Sequence, residues 1–198
     1  MLRNAYLVGL LVIGLGLGRA HGQPSATDAA ASPAPAGQHC AVNVDPVQPG
    51  AKASVVKEVG CFATFAEALA VATDGTVRVD PKMQPHEFTK EMLPAAGKAG
   101  RTVIAVDWSD ANYKGNPMIF YSDQGGCVPG RTFEVRRMPR GWNDVVSSMW
   151  GAGGCDHQFL FEHIDFNSHK RGNVAECHPN CKGLRKMNDK TSSQVMAD

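Results

Sequence analysis

Two hexapeptides carry the side chains best suited to chemistry: Asn143-Asp144-Val145-Val146-Ser147-Ser148 and Asn188-Asp189-Lys190-Thr191-Ser192-Ser193. In each, an amide and a carboxylate are followed, two residues later, by a pair of hydroxyls. Calcium takes about six to eight oxygen ligands, and such a loop offers carboxylate, amide, hydroxyl and backbone carbonyl oxygens on short side chains that tolerate tight turns. The chemistry expected is hard-cation binding. A lone copy would read as hydrogen-bonded turn caps, a common use of Asn, Asp and Ser. Two copies in the same order argue for one supersecondary unit built twice.

The elements that must position these loops repeat with them. Upstream of each lies an aromatic, four residues, a second aromatic and a small residue two places on: Trp108, Tyr113 and Gly115, then Phe161, Phe166 and Ser168. Aromatics at both ends of a folded hairpin pack on each other, and a glycine beyond them supplies an unusual backbone angle. Ser168 stands where that glycine is expected, so the second turn is either strained or of another kind. From Thr102 the pattern is one of strands. Ile104, Val106 and Trp108 fall on one face, Met118 to Tyr121 runs continuously, Phe133 and Val135 alternate, and Met149-Trp150 follow the first Ser-Ser. The second copy offers Gln158 to Phe161, a run near Gly172 to Ala175, a weak strand near Leu184, and Gln194 to Met196. Two four-stranded units, about 102–153 and 154–198, predict a mainly β fold of two Greek keys facing across one core.

Both elements, present twice and in register, resemble the βγ-crystallin fold in its microbial calcium-binding form, over about residues 102–198. The resemblance implies a βγ-crystallin-like sandwich with calcium as its cofactor, held in split sites where the loop of one unit is completed by the hairpin of the other. Ser147 and Ser192 are then side-chain ligands, beside the loop oxygens of Asn143, Asp144 and Val145 and of Asn188, Asp189 and Lys190. Ser148 and Ser193 tie the hairpins to the sheets. Glu162, after Phe161, is expected to join the loop containing Ser147. Ser109, with Asp110 beside it, is expected to join the loop containing Ser192. A carboxylate attracts a divalent ion and the Lys190 ammonium repels it, so the Glu162 site is expected to be the tighter and the other weak. Secreted microbial proteins of this fold include metalloprotease inhibitors. An inhibitor role, carried by an exposed loop from Ser122 to Pro129 held by Cys127, is the first alternative; a toxin or antimicrobial protein is the second.

The N-terminal half is of different character. Arg3, the apolar run Leu7 to Gly18 and Ala20-His21-Gly22 form a secretory signal over residues 1–22, too short for a stable membrane span. Residues 23–39 are an Ala/Pro-rich flexible leader. Residues 40–101 are a small α/β accessory segment. In it Thr64-Phe65-Ala66-Glu67 is a capping box, Leu69 and Val71 continue a helix, and Gly75 ends it. Thr76 to Val79 is expected as a short strand and His86 to Met92 as a brief helix before Pro94. The formal charge of +1 becomes −1 once Arg3 and Arg19 leave with the signal, so nothing points to nucleic acid or an anionic membrane surface.

An even set of six cysteines in an exported chain argues for disulfides, whose connectivity sequence alone does not choose. The set expected is Cys40 with Cys61, Cys127 with Cys155, and Cys177 with Cys181. Cys177-His178-Pro179-Asn180-Cys181 is then a stapled loop and not a zinc site, since a closed zinc set needs four ligands. The spacing of His157, His163 and His169 suits surface turns. Arg131, Arg136, Arg137 and Arg140 form either a solvated edge or a contact patch for an acidic partner or a polyanionic wall polymer. No nucleophile elbow, zinc-protease helix or phosphate loop occurs, so an enzyme is not expected. The partners expected are a calcium ion and an extracellular protease or cell-wall polymer.

Overall fold

The computed structural model describes residues 38–94 and 100–198. The expected signal over residues 1–22 and the leader up to residue 37 lie outside the described residues. His39 already opens strand β1 (His39–Val44), which pairs antiparallel with β2 (Val56–Phe62). Helix α1 (Phe65–Ala72) follows, started by the expected capping box: Glu67 N donates to Thr64 Oγ1 at 3.2 Å and Thr64 N donates to Glu67 Oε2 at 3.0 Å. Asp74 and Gly75 then turn the chain through positive φ.

Two expectations for this segment are corrected. Thr76 to Val79 is not a strand: the Val77 amide is taken by the Thr73 hydroxyl at 3.3 Å and is not available to a ladder. His86 to Met92 is not one helix but two short 3-10 turns, Pro85–Glu87 and Lys90–Met92, parted by extended backbone at Phe88 and Thr89.

The repeated region supplies β3 (Thr102–Asp110), β4 (Lys114–Ser122), β5 (Phe133–Val135) and β6 (Ser148–Gly151), then β7 (His157–Phe161), β8 (Val174–Cys177), β9 (Asn180–Cys181) and β10 (Ser193–Ala197). One sheet has the order β2-β1-β4-β3-β6-β9 and the other β5-β10-β7-β8. The fold is a mainly β sandwich of two sheets, with one strand of each repeat exchanged. β5 of the first copy lies beside β10 of the second, and β9 of the second beside β6 of the first. The weak strand near Leu184 does not form; Leu184 leads into a 3-10 turn (Arg185–Met187), its side chain buried and its amide donating to Ser147 O.

Ile104, Val106 and Trp108 do not share a face. A bulge between Val103 and Ala105 turns Ile104 into the core between the sheets, while Val106 and Trp108 point to the outer face. That outer face is apolar because α1 covers it: Phe65, Ala68 and Leu69 pack with Val106, Trp108, Ile119 and Trp150. Burying the larger sheet on both sides makes the N-terminal segment part of its stability. β1 itself runs parallel to β4, pairing Cys40 to Asn43 with Met118 to Tyr121. The three disulfides are Cys40–Cys61, Cys127–Cys155 and Cys177–Cys181, the last linking β8 of one sheet to β9 of the other.

Candidate metal centre

The exchange of β5 and β9 dictates where the two hexapeptide loops go. The first loop leaves β5 in the smaller sheet to reach β6 in the larger; the second leaves β9 in the larger to reach β10 in the smaller. They must cross between the sheets, and where they cross they bond reciprocally. Asp144 N donates to Thr191 O at 3.0 Å and Asp189 N to Val146 O at 3.1 Å. Ser147 Oγ donates to Asp189 Oδ1 at 2.6 Å, and Ser192 Oγ lies 3.3 Å from Asp144 Oδ1. Both aspartates adopt positive φ, 59° and 54°, a conformation Asn and Asp tolerate better than most side chains.

Each crossing is held to a hairpin by the adjoining serines. Ser147 N donates to Trp108 O, and Ser192 N to Phe161 O. Ser148 Oγ donates to Asp110 O at 2.6 Å and accepts from Tyr113 N at 3.0 Å. Ser193 Oγ does the same with His163 O at 2.7 Å and Phe166 N at 3.1 Å. The aromatic pairs close these hairpins, Trp108 against Tyr113 at 5.1 Å and Phe161 against Phe166 at 5.7 Å between ring centres. Gly115 has φ 75°, and a Cβ there would run into Ser109 Oγ. Ser168 takes ordinary right-handed helical angles, because the second turn places its positive φ at Asp165, Phe166 and Asn167 instead.

The pairing of hairpins with loops differs from expectation. Glu162 belongs with Ser192 and Asp144: Ser192 Oγ donates to Glu162 O at 2.9 Å. By the same strand pairing, Ser109 belongs with Ser147 and Asp189, since β6 lies against β3 and β10 against β7. The Glu162 carboxylate is itself engaged. Asn173 N and Nδ2 donate to its Oε2 at 2.8 and 2.7 Å, and Lys190 Nζ lies 3.4 Å from Oε1. These donors, the Asn173 amide first, hold its pKa below the ordinary glutamate value. Asn173 follows no pattern that sequence reading could have singled out.

Asp144, Ser192 and the Glu162 carbonyl form one pole; Asp189, Ser147 and the Ser109 segment form the other. All are oxygen donors, and within each loop Asn143 and Asn188 steady the neighbouring aspartate, donating to it at 2.8 and 2.7 Å. Among the described residues no three His, Cys, Asp or Glu side chains converge, so each pole combines few charges with neutral hydroxyl and carbonyl oxygens. That donor set fits a hard cation of modest affinity and not a transition metal.

Other candidate features are accounted for differently. Gly125, Gly126 and Cys127 are buried, with Gly126 against Gly153 O, so Ser122 to Pro129 is not an exposed loop along its length. Arg136 pairs with Asp165 at 2.6 Å, and Trp142 beside the arginines is buried in the core. Cys177 and Cys181 are bonded to each other. His157 lies against His178, ring centres 4.2 Å apart and the planes tilted by 31°. Asp107, which strand alternation did not single out, is fully buried between the sheets. Its Oδ1 lies 3.5 Å from Gln194 Nε2, which also donates to Gln158 Oε1 at 3.1 Å. Loss of water raises its pKa to about 8. Two glutamines at strand positions facing a strand aspartate were the available signal.

No family model and no curated protein matches the sequence. Among solved structures the chain is similar to a betagamma-crystallin from an Archaea, at 14% identity and a TM-score of 0.34, over 52% of this chain and 99% of that one. A score that low bears on neither the fold nor the site, which rest on strand order and on the crossed loops.

Proposed function

We propose that this is an exported calcium-binding protein of the βγ-crystallin type, in which calcium seats where the two loops cross and stabilises the sandwich. The observation that carries this reading is the reciprocal pair of contacts, Ser147 with Asp189 and Ser192 with Asp144. Each pole gathers oxygens from both repeats, brought together only by folding. An ion bound there binds the native state alone and stabilises it by RT ln(1 + [L]/Kd). Asp144, Ser192 and the Glu162 carbonyl would hold one ion, Asp189, Ser147 and Ser109 the other, with carbonyls of Val145 and Lys190 available beside them. Export is supported by the three disulfides, which persist in oxidising compartments. No helix among the described residues is long and apolar enough to cross a membrane.

The test is thermal unfolding of the purified protein in excess chelator and in millimolar calcium, beside a Ser147→Ala, Ser192→Ala double variant. A calcium-dependent rise in midpoint, lost in the variant, is expected. An unchanged midpoint in the unmodified protein, together with no heat of calcium binding, would remove the metal from the function.

A further inference from the structure

We propose that Lys190 is a resident counter-ion that stands in for the metal at the Glu162 pole, so that the protein takes one calcium ion, at the Ser147–Asp189 pole. This rests on the calcium reading above and reverses the order of strength that residue types alone suggest.

The two repeats correspond position for position in sequence at the crossing, which makes their differences informative. Lys190 occupies the third place of its loop, where the first loop has Val145; Glu162 follows the first hairpin aromatic, where the other hairpin has Ser109. The two departures meet each other. Lys190 Nζ is 3.4 Å from Glu162 Oε1, and the side chains keep 47% and 23% of their exposure. Asn173 takes the other carboxylate oxygen with two N–H groups. Both oxygens of Glu162 therefore already face donors, and its backbone carbonyl faces Ser192. A cation at the Asp144, Ser192 and Glu162 carbonyl oxygens that also draws on the Glu162 carboxylate has to displace the ammonium from Oε1, against that ammonium's repulsion.

The opposite pole has no such occupant. Neither Asp189 nor Asp110 makes an ion pair among the described residues, and the place corresponding to Lys190 is an uncharged valine. Asp189 accepts from the neutral donors Ser147 and Asn188, so no ammonium opposes a divalent ion there. An exposed ion pair contributes little to folding. The consequence of Lys190 is therefore selective: it changes how many ions bind more than how stable the chain is without them.

The experiment is calcium titration by calorimetry, with terbium luminescence as a second probe, on the unmodified protein, Lys190→Val and Lys190→Val, Glu162→Gln. Lys190→Val copies the other loop at an exposed position and is expected to fold, as checked by its unfolding midpoint in chelator. The expected result is one equivalent bound by the unmodified protein and two by Lys190→Val. The added site should weaken at least tenfold when Glu162 is also changed. Equal stoichiometry in the unmodified protein and Lys190→Val overturns the counter-ion role while leaving calcium binding intact. No calcium or terbium bound by either protein overturns both readings.

Discussion

Ser147 donates its hydroxyl to Asp189 at 2.6 Å, joining residues 42 apart in sequence and stitching the first repeat to the second. The contact exists because β5 and β9 have changed sheets, which forces their outgoing loops across one another. Hydrogen bonds to charged groups contribute about 1.5–3 kcal/mol. Ser147→Ala is expected to cost roughly that much in chelator, and Asp189→Asn less, since an amide oxygen still accepts. A double-mutant cycle from urea unfolding checks the coupling; additive effects would show that the two side chains do not depend on each other.

Ser148 and Ser193 each close a hairpin with one bond given and one received, in buried surroundings. Alanine at either place leaves a backbone N–H and a C=O short of a partner, a cost of about 1–3 kcal/mol for each group stranded. The two substitutions are expected to be similarly damaging with calcium absent or present, unlike Ser147→Ala and Ser192→Ala. Denaturation midpoints with and without calcium separate the two pairs.

Gly126 and Gly130 make a contrast in why glycine is needed. A Cβ on Gly126 would collide with the Gly153 carbonyl, which is backbone and cannot swing away; at Gly130 it meets open space but the residue has φ 82°. Gly130→Ala is expected to cost about 1–2 kcal/mol of left-handed strain. Gly126→Ala should cost more, with overpacking alone at about 1–3 kcal/mol. Equal midpoints for the two variants would contradict this assignment.

Asp107 keeps its proton in the folded state up to about pH 8, because it is buried between the sheets with Gln194 as its near partner. The unfolded chain gives that proton up near pH 4, so between those values the native state binds one proton more than the unfolded state. The stabilisation is complete below about pH 4 and is lost progressively as pH rises to about 8. Asp107→Asn is expected to flatten this slope and to be the more stable at neutral pH by on the order of a few kcal/mol. Unfolding free energies measured from pH 4 to 9 check it; parallel profiles for the two proteins would exclude Asp107 as the source.

Local patterns announced a good deal of this molecule. The helix start at Thr64 is legible because its capping groups lie within four residues, and the mainly β repeats are legible because strand alternation and turn residues are local features. The expected cysteine pairs form, although the count of cysteines left their connectivity open. Thr76 to Val79 shows the limit: its alternation is that of a strand, yet the Thr73 hydroxyl takes the Val77 amide.

Which hairpin serves which loop was decided only in three dimensions. Glu162 pairs with Ser192 because β7 lies against β10, a ladder set by side-chain packing between sheets and not by any spacing along the chain. The bulge at Ile104, the burial of Asp107 and the parallel docking of β1 on β4 have the same origin. Each is the outcome of long-range contacts competing for one core, and a short window of sequence carries residue types but not the partners they will meet.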